Sequence, residues 1–295
     1  MKRTFGEKIF DYFNYVFLVF IAILCIAPIM NVLAISFSSS TAATAGVVKM
    51  WPVGFNLESY KFALTKPEFI NSFLITLKRV CLGVVLEMLL TILAAYPLSK
   101  ERQELMGRNA LAFYFFITMI FNGGLIPWYM TIKQLHLIDS IWALVLPGAV
   151  AVFSVIVLMN FFRQLPKEIS ESAIMDGAGH WTILWKMYVP LSTPALATLT
   201  LFSCVHHWNS WFDGMILMNS PEHYPLQTYL RSIIVSRDLS TFMNASADEL
   251  KLLAIISDRT LRASQVFIAA LPILFVYPFL QKYFMKGLVM GSVKG

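Results

Sequence analysis

An otherwise apolar stretch at the start of the chain's last third carries His206, His207, Trp208, Asn209, Trp211 and Asp213. On a continuous helix Trp208 and Trp211, three apart, and His207 and Trp211, four apart, share a face. Indole faces beside amide and carboxylate groups suit a sugar, whose C–H face stacks while its hydroxyls take paired polar partners. The same residues also read as helix packing against a neighbouring subunit, with tryptophan at a membrane interface. A hydrolytic reading needs convergent carboxylates or a Ser/His/Asp set at one depth, and His206 and His207 with Asp213 are its candidates.

Lys78, Arg79 and Glu87 interrupt another apolar stretch. If that span starts at Phe69, the two cations lie roughly 13 Å into the membrane, where ionisable groups face a cavity or a partner. In that case an acidic oligosaccharide such as a uronate is a plausible ligand. If the span starts later, both snorkel to the interface. Glu87 is no evident mate for Arg79, because eight residues place it about 80° around the helix.

The third chemistry-bearing segment is polar and lies between apolar runs. It contains Glu171, Ser172, Ala173, Asp176, Gly177, Gly179 and Pro190. Pro166 can open a helix on which Ile169, Ala173 and Ile174 form an apolar edge. Gly177 and Gly179 permit a turn, and a second helix over about 181–189 runs back to Pro190. The product is an L-shaped knob in which Ser172 and Ala173 allow close approach of another protein, while Glu171 and Asp176 pair with its basic residues. The alternative is an ordinary amphipathic helix at the membrane surface.

Composition says what positions these groups. The chain is 58% apolar and 14% charged over 295 residues, which marks a membrane protein. A bilayer core of roughly 30 Å takes about 20 helical residues. Six spans are expected, over about 12–37, 69–98, 109–132, 140–162, 194–218 and 263–284, in one all-α transmembrane domain covering 1–295. The segment 163–193 then forms the polar loop, and 219–262 a long loop on the opposite side. Within the latter, 226–235 and 248–256 have helical apolar spacing. The loop 38–68 reads as mostly irregular, with Trp51 at headgroup level.

The first span is too long for a signal peptide and is expected to be retained. Lysine and arginine of the short loops and both tails fall on one face, which the positive-inside rule makes cytoplasmic. The net charge of +6 thus reflects orientation and does not argue for nucleic acid. Cys25, Cys81 and Cys204 lie within apolar spans without clustered ligands, so no disulfide framework or metal site is expected. Asn122-Gly123-Gly124 and Pro127 fall late in the third span, as a helix end or as a break lining a cavity.

From Phe69 to Gly295 the chain resembles the carbohydrate-uptake permeases of ABC importers, in particular the branch serving complex oligosaccharides and the second permease of maltose-type systems. The resemblance rests on Ala94-Ala-Tyr96-Pro-Leu-Ser99, Met119 to Pro127, Asn160-Phe-Phe-Arg163, Glu171 to Pro190, His207 to Trp211, Pro225-Leu-Gln227 and Gly291 to Gly295. Ser172 stands where the family prefers alanine. The resemblance implies a bacterial inner-membrane subunit with cytoplasmic termini. Its partners would be a second, homologous permease, two ATP-binding subunits docked on the 168–190 loop, an extracytoplasmic sugar-binding protein and membrane lipid. ATP and Mg belong to the ATPase subunits, because no phosphate-cradling Gly-Lys-Ser/Thr loop occurs here. The chain is therefore expected to be no enzyme and to hold no cofactor. Lys294 and Gly295 are expected to reach between the ATPase subunits, and Arg231, Arg237 and Asp238 to meet the binding protein. The rival classes are an ion-coupled secondary transporter, for which only Glu87 and Asp213 qualify as intramembrane carboxylates, and a membrane-embedded hydrolase.

Overall fold

Backbone N–H and C=O groups inside a bilayer must be satisfied within the segment that crosses it, and this chain meets the demand with helices. The computed structural model describes residues 5–101, 103–235 and 257–292, and no strand occurs among them. In chain order the helices are α1 Phe5–Ser36, α2 Ser40–Thr44, α3 Glu58–Thr65, α4 Pro67–Ser99, α5 Arg108–Ile120, α6 Leu125–Gln134, α7 Ile141–Val145 and α8 Val152–Gln164. They continue with α9 Lys167–Met175, α10 His180–Leu191, α11 Thr193–Asn209, α12 Phe212–Leu217, α13 Leu226–Val235 and α14 Asp258–Ser292. The chain is all-α.

Among the described residues two helices, α1 from Lys8 and α4, are long and apolar enough to cross a membrane, and the number rises to five if each of three bent pairs counts as one span. Of the spans expected over 109–132, 140–162 and 194–218, the first does break at its Gly-Gly step, one of the two readings of that step, and the other two are corrected from continuous helices. The first breaks between α5 and α6 with a bend of 113°, and the second bends by 46° before α8. The third ends at Asn209, and a separate short helix follows. Each break has a local cause. Gly124 adopts φ +90°, and its amide donates to the Asn122 side chain at 2.9 Å. Pro127 then sits in the first turn of α6, where its missing N–H has no intrahelical partner to lose. Pro147 and Gly148 form a 3₁₀ turn between α7 and α8.

The structure divides into two compact units. The first comprises 1–70 and 230–271. Its small core joins Ala34, Ile35, Ala42, Ala43, Val48 and Ala263. Ser59 donates to Thr260 at 2.9 Å, and Arg259 reaches the Ala43 carbonyl at 3.1 Å. The loop 38–68, expected to be mostly irregular, carries α2 and α3. Nothing among the described residues buries the most apolar stretch of α1.

The second unit comprises 71–229 and 272–295. One of its cores packs Ile92, Ala95, Tyr96 and Leu98 of α4 with Val155, Leu158 and Phe162 of α8, and with Ile183 and Tyr188 of α10. Another gathers Ile132, Ala143, Leu144, Leu217 and Met218. Beside it Asp139, at φ +63°, accepts from the amides of Asn219 at 3.0 Å and Ser220 at 3.3 Å, and lies 3.0 Å from His223. Partial burial works against its ionisation, but His223 and these donors outweigh that and hold the carboxyl below the usual carboxylate range.

A depressed carboxyl pKa stabilises the folded state fully above the ordinary value and loses that contribution as pH falls through the folded one. Asp139→Ala should therefore lower the melting temperature at neutral pH, by the equivalent of about 1 kcal/mol. The gap from wild type should close on acidification below about pH 4. Thermal unfolding in lipid nanodiscs across that range checks this. A gap that persists in acid would assign Asp139 no such role.

Candidate functional site

Seven of the sequence-derived candidates lie in the second unit at one end of α4 and α11, and the structure sorts them. Arg79 on α4 is 1% exposed and forms a two-pronged ion pair with Asp213, Nη1 donating to Oδ1 at 3.1 Å and Nη2 to Oδ2. The mate of Arg79 is thus Asp213, which the spacing argument did not find. Lys78, one residue earlier, is exposed and lines no part of the cavity described next. Grouping it with Arg79 is corrected, because adjacent helical residues point about 100° apart.

Arg79, His206, His207, Asn209, Trp211 and Asp213 line a cavity of about 760 Å³, together with Asn122 and Trp128 from the broken α5–α6 segment. Trp208 is not part of it. Its ring packs edge-on against Phe73 at 5.8 Å and is buried. The shared Trp208–Trp211 face is also corrected, because α11 stops at Asn209 and Ser210 is extended at ψ 126°, so the two indoles leave different elements. Trp211 instead stands at the start of α12, and Thr228 donates to its carbonyl at 2.9 Å.

The two histidines separate in the same way. His206 is exposed and His207 is 2% exposed, with its Nε2 3.6 Å from Glu87. Ser203 also donates to Glu87. Both carboxylates are therefore engaged with different partners, and His207 and Asp213 form no catalytic set. With Arg79 balanced by Asp213, the charges of the described wall's one guanidinium and one carboxylate cancel. What it offers a ligand is aromatic surface from Trp128, Trp211 and Phe212 and neutral donors and acceptors from Asn122, Asn209 and Ser210.

At the other end of α4, about 30 Å from Arg79 at 1.5 Å per residue, lies the polar loop. Helix α9 ends in paired hydrogen bonds: the Gly177 amide donates to Ile174 O at 2.9 Å and the Ala178 amide to Ala173 O at 2.9 Å, around Gly177 at φ +81°. This is the Schellman closure, and it uses glycine because a side chain resists that conformation. Gly179 has an ordinary negative φ and starts α10. Ala173 is 2% exposed and belongs to the unit's own core, so its expected presentation to another protein is corrected. The outward face carries Glu171, Ser172 and Asp176, with Met175 at 88% and Trp181 at 67% exposure. Pro190 is exposed near the end of α10, after a π turn over Leu184–Tyr188.

Beneath α9 the helix ends are knitted together. The Lys100 ammonium sits over the rings of Tyr96 and Tyr188, at 5.1 and 5.2 Å. Tyr96 shares a 3.2 Å hydrogen bond with His180, and Arg108 and Arg163 both donate to the Leu98 carbonyl at 3.0 Å. Lys167 bonds Glu101 and holds that exposed carboxyl below its usual range. Arg231 is exposed on α13, and Arg237, Asp238, Lys294 and Gly295 lie outside the described residues.

Removing one member of a buried ion pair strands the other, at a cost of about 3–5 kcal/mol. Arg79→Met and Asp213→Leu should each sharply reduce the thermal stability of the purified protein, and the double variant should recover most of the loss. A double variant as unstable as the sum of the singles would show that the two charges do not act as a pair.

No protein-family model matches the chain. Over 295 residues it is 36% identical to Protein LplC of Bacillus subtilis strain 168, covering 100% of this chain and 98% of that one. It is 36% identical over 288 residues to the polygalacturonan/rhamnogalacturonan transport system permease protein YtcP of the same organism, covering 98% and 99%. A chain in the crystal structure of a bacterial ABC transporter that imports the acidic polysaccharide alginate superposes with a TM-score of 0.87 at 33% identity, over 96% of this chain and 99% of that one. Full-length relatedness at this level assigns the protein: it belongs to the sugar permeases of ABC transporters.

Proposed function

We propose that this chain is one permease subunit of a binding-protein-dependent importer in the bacterial inner membrane, taking up oligosaccharides through the cavity beside Arg79 and Asp213. The observation that carries this is the separation of two built features along α4. An aromatic and amide-lined cavity lies at one end and a preformed polar knob at the other. The relatives that handle polygalacturonan, rhamnogalacturonan and alginate point to uronate-containing chains as the substrate class. Because Asp213 balances Arg79, this wall contributes stacking and neutral hydrogen bonding, and net attraction for acidic sugars falls to the other subunits.

The knob is the docking point for one ATP-binding subunit. Glu171 and Asp176 supply charge, while Met175 and Trp181 supply apolar area that the described residues leave uncovered. ATP and Mg sit on the ATPase subunits, so this subunit performs no chemistry of its own. It has six membrane-crossing segments, with the broken pairs each serving as one crossing and α14 as the last, and both termini face the cytoplasm. A second, homologous permease completes the pathway and covers α1. The segment 219–262 meets the extracytoplasmic sugar-binding protein through Arg231, Arg237 and Asp238, and the tail with Lys294 and Gly295 reaches the ATPases.

Gly177→Val places a β-branched residue at φ +81° and should open the turn without touching the core, since a side chain there meets open space. ATPase subunits should no longer co-purify, although the permease still inserts. Glu171→Ala should weaken attachment by roughly 1.5–3 kcal/mol, about ten- to a hundredfold in affinity. Uptake of oligogalacturonate into proteoliposomes should stop in Gly177→Val and with an ATPase unable to hydrolyse ATP. Full ATPase attachment and uptake in both variants would remove the docking assignment, and uptake driven by an ion gradient without ATP would remove the importer reading itself.

A further inference from the structure

Arg79, Gly83 and Glu87 recur every four residues and so run along one side of α4. Ser203 and His207, also four apart, run along the facing side of α11. The two rows mesh: Ser203 donates to Glu87, and the His207 ring lies over Gly83 with Nε2 3.6 Å from Glu87. A Cβ on Gly83 would stand 2.5–2.8 Å from Nε2, Cε1 and Cδ2 of that ring. A side chain at position 83 therefore fits only if the His207 ring moves from its seat, and the ring borders the cavity on its other side. Gly83 and Glu87 do not line the cavity, whereas His206 and Asn209, which flank the His207–Trp208 pair at the end of α11, do.

We propose that Gly83 and Glu87 are positioning residues for the cavity. By seating the His207 ring, they fix the rotation of the last turn of α11 and thereby the places of His206 and Asn209 on the wall. This rests on the reading of that cavity as the sugar pathway. The row on α4 holds both flanks of the break at Ser210 and Trp211, since Glu87 and Gly83 engage α11 on one side and Arg79 engages Asp213 of α12 on the other. Sliding or rotating α11 would push His207 into the α4 backbone and draw Ser203 off Glu87.

The test reads wall position directly, in the assembled transporter with Cys25, Cys81 and Cys204 replaced by alanine and a single reporter, Asn209→Cys. Labelling by a water-soluble thiol reagent should change about threefold or more on adding Gly83→Ala, within the coupling range of residues in contact. A reporter at Lys78→Cys, outside the cavity, should not respond. With His207→Ala also present, Gly83→Ala should have no further effect, because the ring it strikes is gone. Glu87→Gln, which keeps the acceptor for Ser203, should shift labelling less than Glu87→Ala.

An effect of Gly83→Ala that is equally large without the His207 ring, or no effect at either stage, overturns the proposal. If Gly83→Ala does not accumulate in the membrane, accumulation restored by His207→Ala supports it. Accumulation of His207→Ala alone with loss of the double variant overturns it. The apparent KM for oligogalacturonate separates the two readings. Shifted labelling with unchanged KM leaves the seated ring in place and removes the cavity from the sugar pathway. A changed KM with unchanged labelling overturns the positioning role.

Discussion

A guanidinium buried in an apolar interior is costly unless an anion or backbone carbonyls meet it, and the anion that meets Arg79 shapes much of the second unit. Asp213 must come to Arg79, so the chain must turn at Ser210 and Trp211 to bring it there. Once it has turned, the backbone freed by the break needs partners of its own. The Ser210 amide still returns to His206, the Gly214 amide takes the Asp213 carboxylate, and Thr228 reaches the Trp211 carbonyl. The chain then closes back on α4, with the Leu226 amide donating to Thr76 at 2.8 Å. One ion pair thus organises a break, a cavity wall and the start of α13.

The opposite end of α4 solves another problem with different materials. Carbonyls at the end of the helix find no intrahelical donors, and two arginines from α5 and α8 satisfy one of them at Leu98. The ammonium of Lys100 lies over tyrosine faces from α4 and α10 and 3.5 Å from the exposed Glu104 carboxylate, so this buried cation has both aromatic and anionic partners. Aromatic edges between Tyr96, Tyr188 and Phe162 complete the contact. The polar loop is therefore held by its inner face and left open on its outer one.

Helical architecture and the polar loop were legible because they rest on local signals: apolar run length, and proline and glycine at fixed offsets. Gly177 could be placed in a turn for the same reason. The cavity was legible only in part. Run length treats 109–132 and 194–218 as straight, since a Gly-Gly or a Ser-Trp step does not say whether a helix bends or simply ends. Reading Trp208 and Trp211 as one face followed from that straightness. The Arg79–Asp213 pair spans 134 positions, and no periodicity within a helix can reveal a partner on another element. A signal was nonetheless present, because Arg79, Glu87 and Asp213 are ionisable residues stranded in apolar runs and needed mates among one another and the histidines. Ala173 shows the converse error. Small size permits close approach, but by what is settled by packing, and here the neighbour is the chain's own core.

The π turn at Leu184–Tyr188 divides the loop into parts of unequal compliance. Helix α9 is closed at its C-terminus by two hydrogen bonds and anchored through Ala173, so it moves as a stiff piece. In α10 the wider turn precedes Pro190, which cannot donate a backbone hydrogen bond, and beyond it the axis swings by 80° into α11. Between the closed end of α9 and the start of α11, the π turn and Pro190 are thus where regular α-helical hydrogen bonding is interrupted, and a change in the direction of α11 relative to α9 disturbs the fewest such bonds there.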